Sequence, residues 1–182
     1  MRTLVLGGIR SGKSRWAEES IAKSVAPGEP VHYLAPGPAA RADPDWALRI
    51  ATHRDRRPAH WSTVETADIA TQLRQSPDAP TLVDDLGGWL TGTFDRHQAW
   101  DDRSGTAAVK DTIEEMLSAV TAFGSTLVVV SPEVGLTVVP ATASGRRFAD
   151  ELGSLNQRMA TLCDEVVLVV AGQAVPIKPC RT

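Results

Sequence analysis

The segment GGIRSGKS at residues 7–14 restricts the fold of this chain more than any other feature of its sequence. It follows the apolar run TLVLGG at residues 3–8 and opens a helix-like segment at residues 13–23. The pattern G-x-x-x-x-G-K-[ST] between a strand and a helix is that of a phosphate-binding loop, or P-loop. Its glycines allow backbone N–H groups to turn inward, and the helix start adds positive potential. The segment therefore predicts an α/β nucleotide-binding domain.

The rest of the chain alternates between short apolar runs and helix-like segments. The further runs are continuously apolar, as is typical of strands buried on both faces of a parallel sheet, and lie at residues 31–37, 81–85, 126–133 and 165–172. Helices are expected at residues 13–23, 67–75, 109–122 and 145–162. This order predicts right-handed crossovers and a mostly parallel sheet flanked by helices. The segment QAVPIK at residues 173–178 fits a final antiparallel edge strand, where a proline is tolerated.

Two segments interrupt the alternation and are predicted to be loops. Residues 36–44 contain three prolines, and residues 87–105 mix glycines with tryptophans and charges. Connections that follow the carboxyl ends of parallel strands build the ligand crevice of such sheets. Trp46, Trp89 and Trp100 are candidates for contact with a flat substrate ring, with packing in the core or between subunits as the alternative.

Length and composition narrow the class of protein. A chain of 182 residues predicts one domain spanning residues 1–182. Its net charge of −3 argues against an overall basic field, so no nucleic-acid partner is expected. Cys163 and Cys180 lack metal-ligand spacing and the density of a secreted disulfide scaffold, which favours a cytoplasmic location. No apolar run is long enough to predict an intrinsic membrane segment.

The P-loop assigns roles to individual residues. Lys13 is expected to reach the β and γ phosphates of a nucleotide, and the hydroxyl of Ser14 to bind Mg²⁺. Such sites also need a carboxylate near the metal, commonly at the end of a neighbouring strand. Asp84 directly follows an apolar run and is the candidate, whereas Asp85 is expected to cap the following segment. The alternative is that both residues only terminate the strand. These features predict a nucleotide triphosphatase or transferase without choosing between them.

A second cluster of charge lies in RIATHRDRRPAHW at residues 49–61, where His53 stands among arginines. One interpretation is a solvated basic loop. The other is an anion site in which the neutral imidazole of His53 attacks the α phosphate of a nucleotide and expels pyrophosphate. Nearby arginines would stabilise the charge that develops on phosphorus. Composition and spacing alone leave both interpretations open.

Four segments of the chain resemble those of a known family, and this resemblance favours the anion site over the solvated loop. In order and spacing the chain resembles the bifunctional adenosylcobinamide kinase / adenosylcobinamide-phosphate guanylyltransferase family of cobalamin biosynthesis, over nearly its full length. The segments are GGIRSGKSRWAE, RIATHRDRRPAHW, EVGLTVVP and LNQRMATLCDEVVLVVAG. The most specific match is the pattern H-x-D-x-R-P-x-x-W, found here as His53, Asp55, Arg57, Pro58 and Trp61.

The resemblance implies a RecA-like P-loop fold and a two-step transferase. The enzyme would phosphorylate adenosylcobinamide with ATP or GTP. It would then transfer GMP from GTP, through a guanylyl-histidine on His53, to adenosylcobinamide phosphate, giving adenosylcobinamide-GDP and pyrophosphate. Lys13 is the second expected catalytic residue, Mg²⁺ the expected cofactor held by Ser14 and Asp84, and a homotrimer the expected assembly. The expected nucleotide contacts are Gly7, Gly8, Ile9, Arg10, Ser11, Gly12, Lys13, Ser14, Pro36, Gly37, Arg54, Asp55, Arg56, Arg57, Glu65 and Asp84.

Two other functions are compatible with the residues alone. A simple P-loop small-molecule kinase would use the arginine cluster as a lid and form no covalent nucleotide. A nucleotide-binding regulatory or RNA-contacting module would use the cluster as a basic patch. The net acidity and the lack of interleaved stacking aromatics around the cluster argue against that module.

Overall fold

The computed structural model describes residues 1–37, 57–100 and 105–180. In these ranges seven strands form one sheet with the order β3-β2-β4-β5-β1-β6-β7. The strands are β1 (Arg2–Gly7), β2 (His32–Ala35), β3 (Ser62–Glu65), β4 (Thr81–Asp84), β5 (Leu127–Pro132), β6 (Glu165–Val170) and β7 (Gln173–Lys178). The first six are parallel, and β7 pairs antiparallel with β6. The predicted parallel sheet and its antiparallel edge strand are confirmed.

Five helices accompany the sheet within the described ranges. They are α1 (Lys13–Ser24), α2 (Ile69–Gln75), α3 (Leu86–Arg96), α4 (Thr106–Ala122) and α5 (Ala143–Leu162). Four of them match predicted helices to within a few residues at their ends. No helix in the described ranges is both long enough and apolar enough to cross a bilayer.

Alternate residues of the central strand β1 face two different helix layers. Leu4 and Leu6 are buried in a cluster that includes side chains of α2, α3, α4 and α5. Val5 is buried in a second cluster with Ala17 and Ile21 of α1. The described helices are thus divided unequally, with α1 on one face and four helices on the other. This three-layer arrangement confirms the predicted α/β fold class.

The prediction of a loop over residues 87–105 is wrong, because α3 occupies much of this segment. Two adjacent glycines near its start suggested a turn, although the helix has a buried apolar face that includes Trp89, Leu90 and Phe94. The glycines are required by close packing rather than by a turn. A Cβ on Gly87 would lie 2.7 Å from Cγ of Pro132, and one on Gly88 would lie 3.0 Å from Cα of Gly37.

The short strand β3 carries no apolar run and was not expected. Its residues are mainly exposed, and only Val64 is half-buried. The strand forms by parallel pairing with β2, in which Tyr33 stands opposite Thr63. Backbone hydrogen bonding at the edge of the sheet therefore specifies this strand more than side-chain burial does.

The carboxyl ends of the parallel strands bring together the segments that matter for function. Gly7 ends β1, Ala35 ends β2 and Asp84 ends β4. The N–H of Glu133, directly after β5, donates to the carbonyl of Gly7 at 3.1 Å. The P-loop, the end of β2 and the end of β4 consequently share one edge of the sheet.

Candidate functional site

The P-loop turns sharply between β1 and α1. Arg10 and Gly12 both lie in the left-handed region, with φ of 56° and 93°. The N–H of Ser11 donates to the carbonyl of Gly8 at 3.3 Å, and the carbonyl of Ser11 accepts from the N–H of Gly172 at 2.8 Å. The loop is therefore held both by its own turn and by the connection between β6 and β7.

The start of α1 is open to an anion. No side chain caps the helix at Gly12, and its first turn contains no acidic residue. The N–H of Lys13 donates to Oγ of Ser11 at 3.4 Å, and Gly12 at the cap position has no side chain to accept from the N–H groups that follow. The Nζ of Lys13 lies over the loop and donates to the carbonyl of Gly8 at 3.4 Å. This arrangement concentrates positive potential where a nucleotide phosphate binds in P-loop proteins.

Ser14 and Asp84, predicted as partners from the sequence, are brought into contact. The Oγ of Ser14 donates to Oδ1 of Asp84 at 3.1 Å. Both side chains present hard oxygen atoms, which are the ligands that Mg²⁺ prefers, and Mg²⁺ commonly takes only one or two protein ligands beside substrate phosphates. The chemistry of this pair therefore fits the metal that the sequence predicts.

The neighbouring Asp85 has a different role. Its Oδ1 accepts from the N–H of Gly88 at 2.8 Å and so caps the start of α3. Burial and the adjacent charge of Asp84 raise the pKa of the Asp85 carboxyl, against the lowering effect of the Gly88 N–H. The helix cap expected of Asp85 is thus present in the structure.

Tyr33, which was not a candidate, lies directly at this site. It is 1% exposed on β2, and its hydroxyl donates to Oδ2 of Asp84 at 2.5 Å. Burial, together with the charge of Asp84, raises the pKa of Tyr33, so its phenol keeps the proton that it donates. The one signal in the sequence was that this is the only tyrosine in the chain, placed in an apolar strand.

Arg57 connects the second charged cluster to Tyr33. Its guanidinium carbon lies 3.3 Å from the centroid of the Tyr33 ring, and its Nη1 donates to Oγ1 of Thr63 at 2.9 Å. Its Nε is buried and has no hydrogen-bond partner among the residues that the structure describes. His53, Arg54, Asp55 and Arg56 lie outside the described residues. Arg57 is thus the one predicted nucleotide contact of this segment that the structure describes.

The other predicted nucleotide contacts are distributed along the same edge of the sheet. Pro36 is buried and Gly37 half-buried directly after β2. Glu65 is exposed at the end of β3, opposite Ala35 in the register. Ile9 is 83% exposed at the tip of the P-loop. These positions surround the carboxyl ends of β1, β2 and β3.

The candidate ring-binding tryptophans differ in their surroundings. Trp89 is 1% exposed in the core, and its Nε1 donates to the carbonyl of Ala67 at 3.0 Å, so the core alternative is the correct one for this residue. Trp100 is half-buried edge-on against Phe94, with 4.9 Å between ring centroids. Trp46 lies outside the described residues.

Solved structures agree with the fold. The chain aligns with a prototypical ATPase of the type III secretion system of pathogenic bacteria at a TM-score of 0.54 and 11% identity. The alignment covers 96% of this chain and 56% of that one, so the chain spans little more than half of the ATPase. At this identity the likeness shows the fold alone, and it is consistent with the RecA-like architecture expected above.

Curated relatives match along almost the whole chain. The bifunctional adenosylcobalamin biosynthesis protein CobP of Pseudomonas aeruginosa is 40% identical over 181 residues, covering 98% of each chain. The bifunctional adenosylcobalamin biosynthesis protein CobU of Salmonella typhimurium is 38% identical over 188 residues, covering 98% of this chain and 100% of that protein. Residues 3–177 match the family described as cobinamide kinase / cobinamide phosphate guanyltransferase. The chain therefore belongs to the cobinamide kinase / cobinamide phosphate guanyltransferase family.

Proposed function

We propose that this chain carries out both reactions of its family at one P-loop. In the first reaction, adenosylcobinamide is phosphorylated with ATP or GTP. In the second, GMP passes from GTP through His53 to adenosylcobinamide phosphate, with release of pyrophosphate. The observation that carries the proposal is the contact of Ser14 with Asp84 at 3.1 Å, beside the uncapped start of α1. This contact supports the proposal because both reactions need a metal site beside a phosphate site.

In the phosphorylation step the described residues bind and orient the nucleotide. Backbone N–H groups from Gly8 to Ser14 would hold its phosphates, and Lys13 would reach the transferred phosphoryl group. Ser14 and Asp84 would hold Mg²⁺, which neutralises charge on the phosphate oxygens when bound. The oxygen of the substrate hydroxyl attacks the γ phosphorus and gives its proton to water. The bond from that phosphorus to the β–γ bridging oxygen breaks, and the nucleoside diphosphate leaves.

In the guanylyl step a nitrogen of His53 attacks the α phosphorus of GTP. A phosphorus–nitrogen bond forms, the bond to the pyrophosphate oxygen breaks, and pyrophosphate leaves. A phosphate oxygen of adenosylcobinamide phosphate then attacks the same phosphorus and releases the imidazole. We assign Arg54, Asp55, Arg56, Arg57, Glu65, Pro36 and Gly37 to the binding of the guanine nucleotide. Arg57 stands four residues after His53, a length of chain that spans at most about 14 Å.

Labelled GTP tests this mechanism directly. The protein is incubated with Mg²⁺ and GTP labelled at either the α or the γ phosphate, and protein-bound label is measured. We expect acid-labile label from the α position only, and none in His53→Ala. His60→Ala is the matched control, because His60 is an exposed histidine of the same segment, and it should label like the parent.

Two results would contradict the proposal. If His53→Ala labels as well as the parent, His53 is not the nucleophile. If no variant labels and γ phosphate still reaches cobinamide, the chain is a simple small-molecule kinase, and the arginine cluster acts only as a lid.

We also propose a homotrimer acting in the cytoplasm, with residues 1–182 as one domain. A closed ring of three identical chains needs two different complementary patches on each chain. The chain exposes two separate apolar groups. Leu136, Val138 and Val139 are 74–88% exposed after β5, and Val175 and Ile177 are 51% and 57% exposed on the edge strand β7. Cys163 is a buried thiol outside any disulfide, in keeping with a reducing compartment.

A further inference from the structure

Asp84 is held by a different hydroxyl group at each of its oxygen atoms. Oδ1 accepts from Ser14 on α1, and Oδ2 accepts from Tyr33 on β2. The position of Tyr33 explains how it reaches this carboxylate. Tyr33 pairs with Leu82 in the parallel register, two residues before Asp84 and therefore on the same face of β4. The long phenol side chain extends along this face to the end of the strand.

The face of the same ring supports Arg57. The guanidinium carbon lies 3.3 Å from the ring centroid, a distance typical of stacking, and Thr63 accepts from Nη1. These two contacts fix both the plane and the rotation of the guanidinium group. The side chain that follows His53 by four residues is thus packed against the tyrosine that holds the metal-linked carboxylate.

We propose that Tyr33 is a positioning residue that couples Asp84, at the expected metal site, to Arg57, at the expected guanine-nucleotide site. Its hydroxyl orients Asp84 for the metal, and its ring holds Arg57 in place as a contact of the guanine nucleotide. This inference rests on the proposed function, because Arg57 has this role only where GTP donates GMP to His53. It assigns no proton transfer to Tyr33, which acts through its two neighbours.

Two substitutions at Tyr33 separate the two roles. Tyr33→Phe removes the hydroxyl and keeps the ring. It should raise about tenfold the Kd for Mg²⁺, measured by calorimetric titration of the protein bound to a non-hydrolysable GTP analogue, and the Mg²⁺ concentration needed for half-maximal rate in both reactions, since a hydrogen bond to a carboxylate is lost. The ratio of guanylylation to phosphorylation should stay as in the parent. Tyr33→Leu removes the ring as well and should also lower this ratio about tenfold.

Substitution of Arg57 tests the other end of the coupling. Arg57→Gln should lower the rate of His53 guanylylation without changing the Mg²⁺ requirement of phosphorylation. A purely structural role for Tyr33 would lower thermal stability and both rates together, and would leave the Mg²⁺ requirement unchanged. The Mg²⁺ titration and the ratio of the two rates therefore separate positioning from general support of the fold.

Thr3→Val is the matched control. Thr3 is a fully buried residue of β1 whose hydroxyl donates to Oε2 of Glu165 at 3.3 Å, so this variant also removes a buried hydroxyl from a carboxylate. It should leave the Mg²⁺ requirement unchanged. The inference is overturned if Tyr33→Phe shifts that requirement no more than Thr3→Val does, or if Tyr33→Leu reduces both rates equally. Failure of the proposed function looks different, because the parent itself would then take no label from GTP labelled at the α phosphate.

Discussion

The hydroxyl of Ser14, on the first turn of α1, donates to the carboxylate of Asp84, at the end of β4. The two residues are 70 positions apart in the chain. Their contact joins the P-loop to a strand two places away in the sheet, with β5 between them. Helix α1 packs on the face of the sheet formed by β1, β4 and β5. The core between this helix and these three strands therefore also sets the distance between Ser14 and Asp84.

Ser14→Ala should reduce the Mg²⁺-dependent rates of both reactions. The variant removes one oxygen ligand of the expected metal and one hydrogen bond to Asp84. We expect kcat/KM to fall about 10-fold to 100-fold for phosphorylation and for His53 guanylylation, measured at limiting Mg²⁺. The decrease should become smaller as the Mg²⁺ concentration is raised.

Ser24→Ala provides the comparison within the same helix. Ser24 ends α1, and its hydroxyl donates to the backbone carbonyls of Ser20 and Ile21. Equal losses of activity in the two variants would mean that Ser14 contributes to the helix and not to the metal site.

The sheet was predictable because buried parallel strands are continuously apolar. Residues such as Val5 and Val130 are buried against helices, and their strands do not alternate between apolar and polar residues. Helix α3 was not predicted, because Gly87 and Gly88 suggest a turn. In the structure they instead leave room for the close packing of Pro132 and Gly37 against the helix. Strand β3 was not predicted, because it forms through backbone hydrogen bonds to β2 and has no apolar pattern in its sequence.

The candidate site was predictable only where motif and chemistry coincide. Ser14 and Asp84 are standard parts of a P-loop site, and they do meet. Tyr33 was missed because an aromatic side chain in an apolar run is ordinarily a core residue. Its contact with Asp84 joins positions 51 residues apart, and its contact with Arg57 requires β3 to lie beside β2. Such a role follows from the register of the sheet, which composition does not encode.

Gly7→Ala should destabilise the protein even without nucleotide. A methyl group at Gly7 would contact Oγ of Ser11 and lie 2.8 Å from the carbonyl oxygen of Val169. Overpacking of this kind costs about 1–3 kcal/mol, which corresponds to a decrease of about 3–10 °C in Tm for a chain of this size. Thermal unfolding of the nucleotide-free protein measures it.

Gly8→Ala is the control for this prediction, because a methyl group at Gly8 would meet no atom within 4 Å. Its Tm should stay within about 2 °C of the parent. A decrease as large as that of Gly7→Ala would mean that the loop needs glycine for backbone freedom at both positions.

The two cysteines should differ in reactivity. Cys163 is 2% exposed, and burial raises the pKa of its thiol to about 12, whereas Cys180 is exposed. At about pH 8 the thiolate of Cys163 is a fraction of about 10⁻⁴, so a thiol reagent should modify one cysteine in the native protein and two after denaturation. Cys180→Ser should abolish the native reaction.

The raised pKa of the Cys163 thiol also makes the stability of the protein depend on pH. The native state retains the Cys163 proton at a pH where the unfolded thiol has lost it. Stability from this group is therefore fully present below about pH 8.5 and falls as pH rises towards about 12. Cys163→Ala should lose this alkaline dependence, which chemical denaturation at several pH values would measure. Rapid modification of Cys163 in the native Cys180→Ser variant would contradict both expectations.

The two exposed apolar groups should be separately necessary for a trimer. Leu136→Lys places a charge in the loop after β5, and Ile177→Lys places one on the edge strand β7. Each variant should sediment as a monomer, because a closed heterologous ring uses both patches of every chain. Mixed in equal amounts, the two variants should form a dimer and no trimer, since each keeps the patch that the other has lost. Gln157→Lys, at an exposed position of α5, adds the same charge and should remain a trimer. A trimer in either single variant would show that its patch does not lie between subunits.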